Sequence, residues 1–281
     1  MAKKRCPREV IASTLSRIQD NSLKKINLIW LEACGCSGNI ISLLDANTPD
    51  IPYLLTQIVN MTYNNSIMGA EGQRAFEKFL ETLDTEFILV VEGAVTSRDN
   101  GFYNIIAQYN GKVISGAEAI TLAAGKAKHV LAVGTCASYG GISSANSNPS
   151  LSKSVSDFLT REVIRIPGCP ANPQWVISTI AHLISYGLPE LDSEGRPLFL
   201  YEETIHTYCS RRSFFDKGNF ATKLGDKECM FQLGCRGPIT KTNCPLRKWN
   251  DRVNWPIEDN TPCIGCANEG FPDKIEPFIN F

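Results

Sequence analysis

The sequence predicts an α/β protein: a doubly wound parallel sheet followed by a loop-rich, cysteine-rich segment. Through the first two-thirds of the 281 residues, short β-branched apolar runs alternate with helical patterns. From Pro189 onward Gly, Pro, Asn and Cys dominate and no period persists. Six of the eleven cysteines fall in the last 73 residues, a segment so irregular that apolar burial alone could hardly order it, and bound metal is a natural staple.

The strand signals are Ile26-Asn27-Leu28-Ile29-Trp30, Phe87-Ile88-Leu89-Val90-Val91, His129-Val130-Leu131-Ala132-Val133 and Val163-Ile164-Arg165-Ile166. Continuous apolar runs of this kind suit parallel strands covered on both faces. Between them, Gly72 to Leu83 places Phe76, Phe79, Leu80 and Leu83 at i, i+3, i+4 and i+7, one stripe of a helix. Gly116 to Ala127 is Ala-rich, and Gln174 to Ser185 carries Trp175, Ile177, Ile180 and Ile184. The alternation gives an N-terminal extension over 1–25, a sheet domain over 26–188 and a second domain over 189–281. Asn146 to Ser156 reads as a polar loop within the first domain.

Lys plus Arg (28) balance Asp plus Glu (29), so no global positive field is present for a nucleic acid or an anionic membrane. No apolar run reaches the ~18 residues of a transmembrane helix. Met1 to Asp20 lacks the apolar core and cleavage site of a secretory signal. Ser210-Arg211-Arg212-Ser213-Phe214-Phe215 imitates a twin-arginine signal but lies too deep in the chain to act as one. The 15 residues after Cys266 leave no room for a C-terminal anchor. A cytoplasmic location is therefore expected, where clustered thiols bind metal more often than they cross-link. An odd number of cysteines also leaves a thiol over in any disulfide scheme. Lys3, Lys4, Arg5 and Arg8 read as a solvated tail, and Cys6 as a thiol without a structural role.

In a parallel sheet the strand-to-helix loops emerge at the carboxyl edge, where open α/β sheets bind ligands. Cys36 follows the first strand, Cys136 lies three residues after Val133, and Cys169 three after Ile166. Gly134-Thr135-Cys136 and Pro167-Gly168-Cys169-Pro170 surround two of these sulfurs with residues that bend or fix the backbone. A lone cysteine after a strand is usually a small buried hydrophobe; three at corresponding positions favour a ligand set. Further on, His206-Thr207-Tyr208-Cys209 with Cys229 and Cys235 supplies an imidazole and three thiols, enough for four-coordinate metal. Cys244 with Cys263-Ile264-Gly265-Cys266 supplies only three. Zinc would fill the first set but fill the second poorly, whereas a [3Fe-4S] cluster has three irons to hold. The stoichiometry favours iron–sulfur. A zinc-stapled, non-enzymatic binding module is the competing class, and a flavin-dependent reductase a third. The flavin reading is weak, because cysteines occupy the loops that would cradle phosphate and neither GxGxxG nor GxxxxGK[ST] is present.

Several motifs, in order, resemble the small, electron-transferring subunit of nickel–iron hydrogenases. They are Trp30-Leu31-Glu32-Ala33 leading into Cys36-Ser37-Gly38, Val91-Glu92-Gly93-Ala94, Gly134-Thr135-Cys136-Ala137-Ser138-Tyr139-Gly140-Gly141 and Pro167-Gly168-Cys169-Pro170. His206-Thr207-Tyr208-Cys209-Ser210-Arg211, Phe215-Asp216-Lys217-Gly218, Leu233-Gly234-Cys235-Arg236-Gly237-Pro238, Asn243-Cys244-Pro245 and Pro262-Cys263-Ile264-Gly265-Cys266 continue the series. The resemblance implies a flavodoxin-like domain holding a proximal cluster, then a domain with a distal [4Fe-4S] and a medial [3Fe-4S] cluster. By position His206, Cys209, Cys229 and Cys235 would hold the distal cluster, and Cys244, Cys263 and Cys266 the medial one. It also implies a cytosolic, uptake-like enzyme in which an obligate large subunit holds the nickel–iron centre and docks near the proximal site. No paired CxxC sites for nickel occur in this chain, so H2 activation belongs to that partner, in a heterodimer or higher oligomer. The electron acceptor would be a redox protein or a quinone-linked chain, through which the complex could associate peripherally with a membrane.

The proximal motif departs from the family pattern. C-x-x-C is usual there, but Cys36-Ser37-Gly38-Asn39 places an asparagine where the second cysteine is expected. Three arrangements are open, giving a [4Fe-4S] or a [3Fe-4S] cluster. Cys36, Cys136 and Cys169 could hold three irons; the Asn39 amide oxygen could ligate a fourth, as a poorer match than thiolate; or Cys34 could swing in. A C-x-C spacing points its sulfurs awkwardly for one cube, so Cys34 reads better as a core thiol or one beside the site. Loss of one thiolate should raise the cluster potential. Glu92 closes a strand at the same edge. The resemblance places it near the proximal cluster, and helix capping is its ordinary alternative. His129 and His182 read as structural.

Overall fold

Five strands form the central sheet: β1 (Ile26–Glu32), β2 (Val59–Asn64), β3 (Phe87–Glu92), β4 (His129–Val133) and β5 (Ile164–Ile166), in the order β2-β1-β3-β4-β5. Every neighbouring pair is parallel, and this order is that of the flavodoxin-like doubly wound fold. The structure, a computed structural model, describes residues 6–249 and 252–275. Lys3, Lys4 and Arg5 of the expected tail lie outside the described residues.

Successive strand residues point to opposite faces, and both faces are covered. Leu28, Trp30, Ile88, Val90, Leu131 and Val133 pack against α1 (Pro7–Gln19), α2 (Gly38–Leu44) and α6 (Pro173–Tyr186). Ile29, Leu31, Leu89, Val91, Val130 and Ala132 pack against α3 (Gly72–Thr82) and α4 (Gly116–Lys126). The stripe on α3 is aromatic: Phe76 stacks on Phe79 at 5.2 Å, and Tyr63 of β2 meets Phe79 edge-on at 5.3 Å. Phe79 is fully buried, and its truncation to alanine would cost about 3–5 kcal/mol. Helix starts follow capping chemistry. The Ser115 hydroxyl accepts the Glu118 N–H ahead of α4, and the Asn172 amide oxygen accepts the Gln174 N–H ahead of α6, where Pro173 fits the first turn.

Two elements differ from the sequence expectation. β2 is an edge strand whose residues Val59-Asn60-Met61-Thr62-Tyr63-Asn64 form no apolar run, because an edge needs less covering than the centre. Arg8 belongs to α1 rather than to a solvated tail. Val10 and Ile11 enter the core, the Thr14 hydroxyl donates to Ala181 O at 3.0 Å and Arg17 Nη1 to Ser185 O at 2.7 Å, which ties α1 to α6. Cys6, expected to have no structural role, heads this helix, and its sulfur accepts a hydrogen bond from Arg247 at 3.1 Å.

After α6 the regular elements shrink to single turns such as Leu198–Tyr201 and Cys244–Arg247. The buried apolar cluster there is small and includes two thiols: Ile205, Ala221, Met230, Cys235, Trp255, Ile257 and Cys263. Trp175 Nε1 donates to Asn243 Oδ1 at 2.7 Å, Asn172 Nδ2 to Lys248 O at 2.9 Å, and Tyr201 OH to Pro167 O at 2.9 Å. These bonds hold the second part against the carboxyl edge of the sheet.

Candidate metal centres

All eleven cysteines are free thiols, and the fold gathers the predicted ligands into three pockets. The first lies at the sheet edge, walled by Cys36 before α2, Cys136 in α5 (Thr135–Tyr139) and Cys169 after β5, with Asn39 and Glu92 beside them. Burial pushes the Cys169 thiol up to about 12, and the neighbouring Cys266, Cys136 and Cys36 sulfurs add to it. Cys34 is not on this wall. Its backbone pairs with Ala94 in both directions at 2.9 Å, and its carbonyl accepts the Ser143 hydroxyl at 2.8 Å.

Asn39 stands between the three ligand loops. Its Nδ2 donates to Glu92 Oε1 at 3.2 Å and its Oδ1 accepts the Ala171 N–H at 2.8 Å. A carboxylate can only accept and a backbone N–H can only donate, so these partners fix the amide's orientation. Gly134, before Cys136, has φ +85°, and a Cβ there would lie 2.3 Å from Asn39 Nδ2. The glycine is required for the asparagine to fit.

Glu92 is 2% exposed. Its carboxylate accepts from Trp30 Nε1 (3.1 Å), Ile40 N (2.9 Å), Asn39 N (2.7 Å) and Asn39 Nδ2. Burial raises its pKa above the usual range, and these donors oppose the shift. It therefore does both things expected of it: it caps α2 and sits on the pocket wall. The adjacent Glu32, in register with Glu92, is also buried, and neither of its carboxylate oxygens has a partner. Sequence reasoning passed over Glu32, although it lies within the quoted Trp30-Leu31-Glu32-Ala33 motif.

The second pocket is lined by His206, Cys209, Cys229 and Cys235. The Arg211 N–H points at Cys209 Sγ at 3.4 Å; burial raises the Cys229 and Cys235 thiols above their ordinary range, and the nearby backbone of Phe231 and of Gly237 opposes that rise. Burial and the Arg212 charge hold His206 below its ordinary pKa, favouring the neutral imidazole that can ligate metal. Phe215 packs edge-on against that ring at 4.5 Å.

The third pocket, a cavity of 340 Å³, is lined by Cys244, Cys263 and Cys266, with Trp175, Trp249, Trp255 and Pro256 on its walls. Burial pushes Cys244 up to about 12 and Cys263 well above the usual thiol range. Gly265 N donates to Cys263 Sγ at 3.4 Å, and Thr242 Oγ1 lies 3.2 Å from Cys244 Sγ. The one carboxylate on the wall, Asp259, accepts a hydrogen bond from Asn254 at 2.7 Å.

Donors aimed at buried sulfur suit thiolate, the form that binds iron, better than neutral thiol. Among the described residues, no three His, Cys, Asp or Glu side chains lie close enough to hold a single metal ion. His129 and His182 lie outside all three pockets, as expected; His182 Nδ1 is hydrogen-bonded to the Gly187 carbonyl at 2.9 Å.

Residues 36–183 match the family described as NADH ubiquinone oxidoreductase, 20 Kd subunit, and residues 201–279 match the C-terminal family of the NiFe/NiFeSe hydrogenase small subunit. The periplasmic [NiFeSe] hydrogenase small subunit of Desulfomicrobium baculatum is 36% identical over 275 residues, covering 91% of this chain and 87% of that protein. The chain belongs to the nickel–iron hydrogenase small subunits. The quinone-reactive Ni/Fe-hydrogenase small chain of Wolinella succinogenes is 32% identical, covering 90% of this chain and 73% of the relative. The reduced, active Ni-Fe-Se hydrogenase of Desulfomicrobium baculatum superposes with a TM-score of 0.87 at 35% identity, covering 91% of this chain and 98% of that one. The small subunit is thus the electron-transfer component of an oxidoreductase, the partner of an H2-activating large subunit. The reading as a zinc-stapled, non-enzymatic module is not supported: the relatives, which cover 90–91% of this chain, are hydrogenase subunits.

Proposed function

We propose that this small subunit relays electrons from the large subunit through three iron–sulfur clusters, one in each pocket. His206, Cys209, Cys229 and Cys235 hold a distal [4Fe-4S] cluster, and Cys244, Cys263 and Cys266 a medial [3Fe-4S] cluster. Cys36, Cys136 and Cys169 hold the proximal one. The observation that carries this is the gathering of ten residues, nine thiols and one imidazole, onto the walls of three pockets, with Cys169 on the wall shared by the first and third and backbone donors on Cys209 and Cys263. When bound, the clusters supply one-electron chemistry; the chain positions them and tunes them by ligand type, hydrogen bonding and burial.

Asn39 braces the proximal site rather than ligating it, because both ends of its amide are already engaged. A three-thiolate proximal set suits a [3Fe-4S] cluster. In the oxidised heterodimer, paramagnetic resonance should then show two three-iron signals. Asn39→Cys should convert one of them to a four-iron cluster. A single three-iron signal in the unmodified enzyme would contradict this assignment.

The large subunit docks at the proximal rim. Ile41 on α2 and Ile142 after α5, each 58% exposed, present apolar surface beside the Cys36 and Cys136 loops. Electrons leave near His206 for a redox protein or a quinone-linked chain, consistent with the quinone-reactive relative. Among the described residues no helix is long and apolar enough to cross a membrane. We place the complex in the cytoplasm on the strength of Cys6 and Cys34, the two thiols outside the ligand sets, which form no disulfide. The Desulfomicrobium relative is periplasmic by name, and cell fractionation decides between the two.

A further inference from the structure

Thr135 is buried at the start of α5, next to Cys136. Its N–H donates to Gly168 O at 3.0 Å, and its Oγ1 accepts the Gly168 N–H at 3.0 Å. That exchange locks the Cys136 loop to the Cys169 loop. The single hydroxyl proton goes elsewhere, to the carbonyl oxygen of Cys266, 131 residues away in the sequence. One side chain thus touches both proximal loops and the medial ligand segment. Cys169 also lines both the first and the third pocket, so the two sites share a wall.

We propose that Thr135 is a positioning residue for electron passage, its hydroxyl forming the bonded bridge from the Cys136 and Cys169 loops to Cys266. Tunnelling through a hydrogen bond is faster than across an open gap of the same span. The bond also fixes the distance between the loops that carry the two sites. Valine in this position keeps the shape, removes the bridge, and leaves the Gly168 N–H and the Cys266 carbonyl without their partner. The proposal rests on the three-cluster reading above.

The test uses the complete heterodimer, oxidised, mixed with H2-saturated buffer and freeze-quenched. The loss of the medial three-iron resonance signal is timed. Thr135→Val should keep iron, acid-labile sulfide and the medial midpoint potential, yet lose the signal about tenfold more slowly, the scale seen for partners that support metal ligands. Thr135→Ser should run at the unmodified rate, and Thr135→Ala should repeat the slow phase without a β-branch. An unchanged rate in Thr135→Val, or a Thr135→Ser as slow as it, would overturn the proposal. Loss of either cluster in both the Val and Ala variants would make the bond structural only and overturn it equally. If the unmodified enzyme shows no medial signal, the failure lies with the three-cluster reading instead.

Discussion

The hydroxyl of Thr135 donates to the carbonyl oxygen of Cys266, joining the Cys136 and Cys169 loops at the sheet edge, which Thr135 links through Gly168, to a segment in the last 16 residues of the chain. Neither loop could hold this position alone. Cys169 is fixed by β5 and by the Asn39 contact to Ala171, whereas Cys266 belongs to a segment with almost no regular structure. The relationship makes the sheet a template on which the irregular segment is ordered, and it sets the proximal and medial sites side by side.

Glu92→Gln should weaken the proximal corner. A glutamine offers one acceptor oxygen to four N–H donors and turns an NH2 group toward some of them. Leaving buried donors unmet costs about 1–3 kcal/mol each. A lowered thermal midpoint of the heterodimer, with the proximal signal broadened or lost, is expected. An unchanged midpoint would show that Glu92 is not what holds α2 in place.

Gly134→Ala should be more selective. The residue sits at φ +85° and ψ 161°, a region almost confined to glycine and worth about 1–3 kcal/mol of strain to other residues. The new Cβ would also drive into Asn39. Iron analysis with resonance spectroscopy should find the proximal cluster diminished and the distal one intact. Equal loss at all three sites would argue for global misfolding instead.

His206→Cys should leave the distal cluster assembled, since four ligands remain. The added thiolate charge lowers its potential, and exchange with the electron acceptor should slow while H2 activation in the large subunit persists. Unchanged turnover with the acceptor would argue against an exit at the distal site.

The sheet was the most legible part of the fold. β4 matches its apolar run residue for residue, β1 extends beyond its run by Leu31 and Glu32, and β3 by Glu92 alone. β2 was hidden because Asn60, Thr62 and Asn64 interrupt its apolar residues, and α1 because its basic residues suggested a tail. At the site, the cysteines and the histidine that line each pocket could be named from spacing and resemblance, and the asparagine at position 39 was visible as a departure from the motif. That Asn39 is engaged by Glu92 and Ala171 depends on residues 53 and 132 positions away. No local pattern reports contacts that only the strand order creates. The Thr135 bridge was illegible for the same reason.

Stability should also depend on pH through His129, remote from the clusters. Burial, then the Lys128 and Arg161 charges, hold its folded pKa below the ordinary 6.5. The unfolded chain therefore binds the proton first. This contribution is complete above pH 6.5 and is lost as pH falls below it. Thermal midpoints of the heterodimer should fall below pH 6.5, and His129→Gln should flatten that slope. Parallel curves for the two proteins would remove His129 from the account.

The most direct measurement is an iron, acid-labile sulfide and zinc analysis of the purified heterodimer, combined with Mössbauer spectroscopy on iron-57-enriched protein. Three clusters on the small subunit predict sulfide in near parity with iron, negligible zinc, and spectra that resolve one four-iron and two three-iron centres. Stoichiometric zinc without sulfide, or iron sufficient for only one cluster, would contradict the assignment of the three pockets.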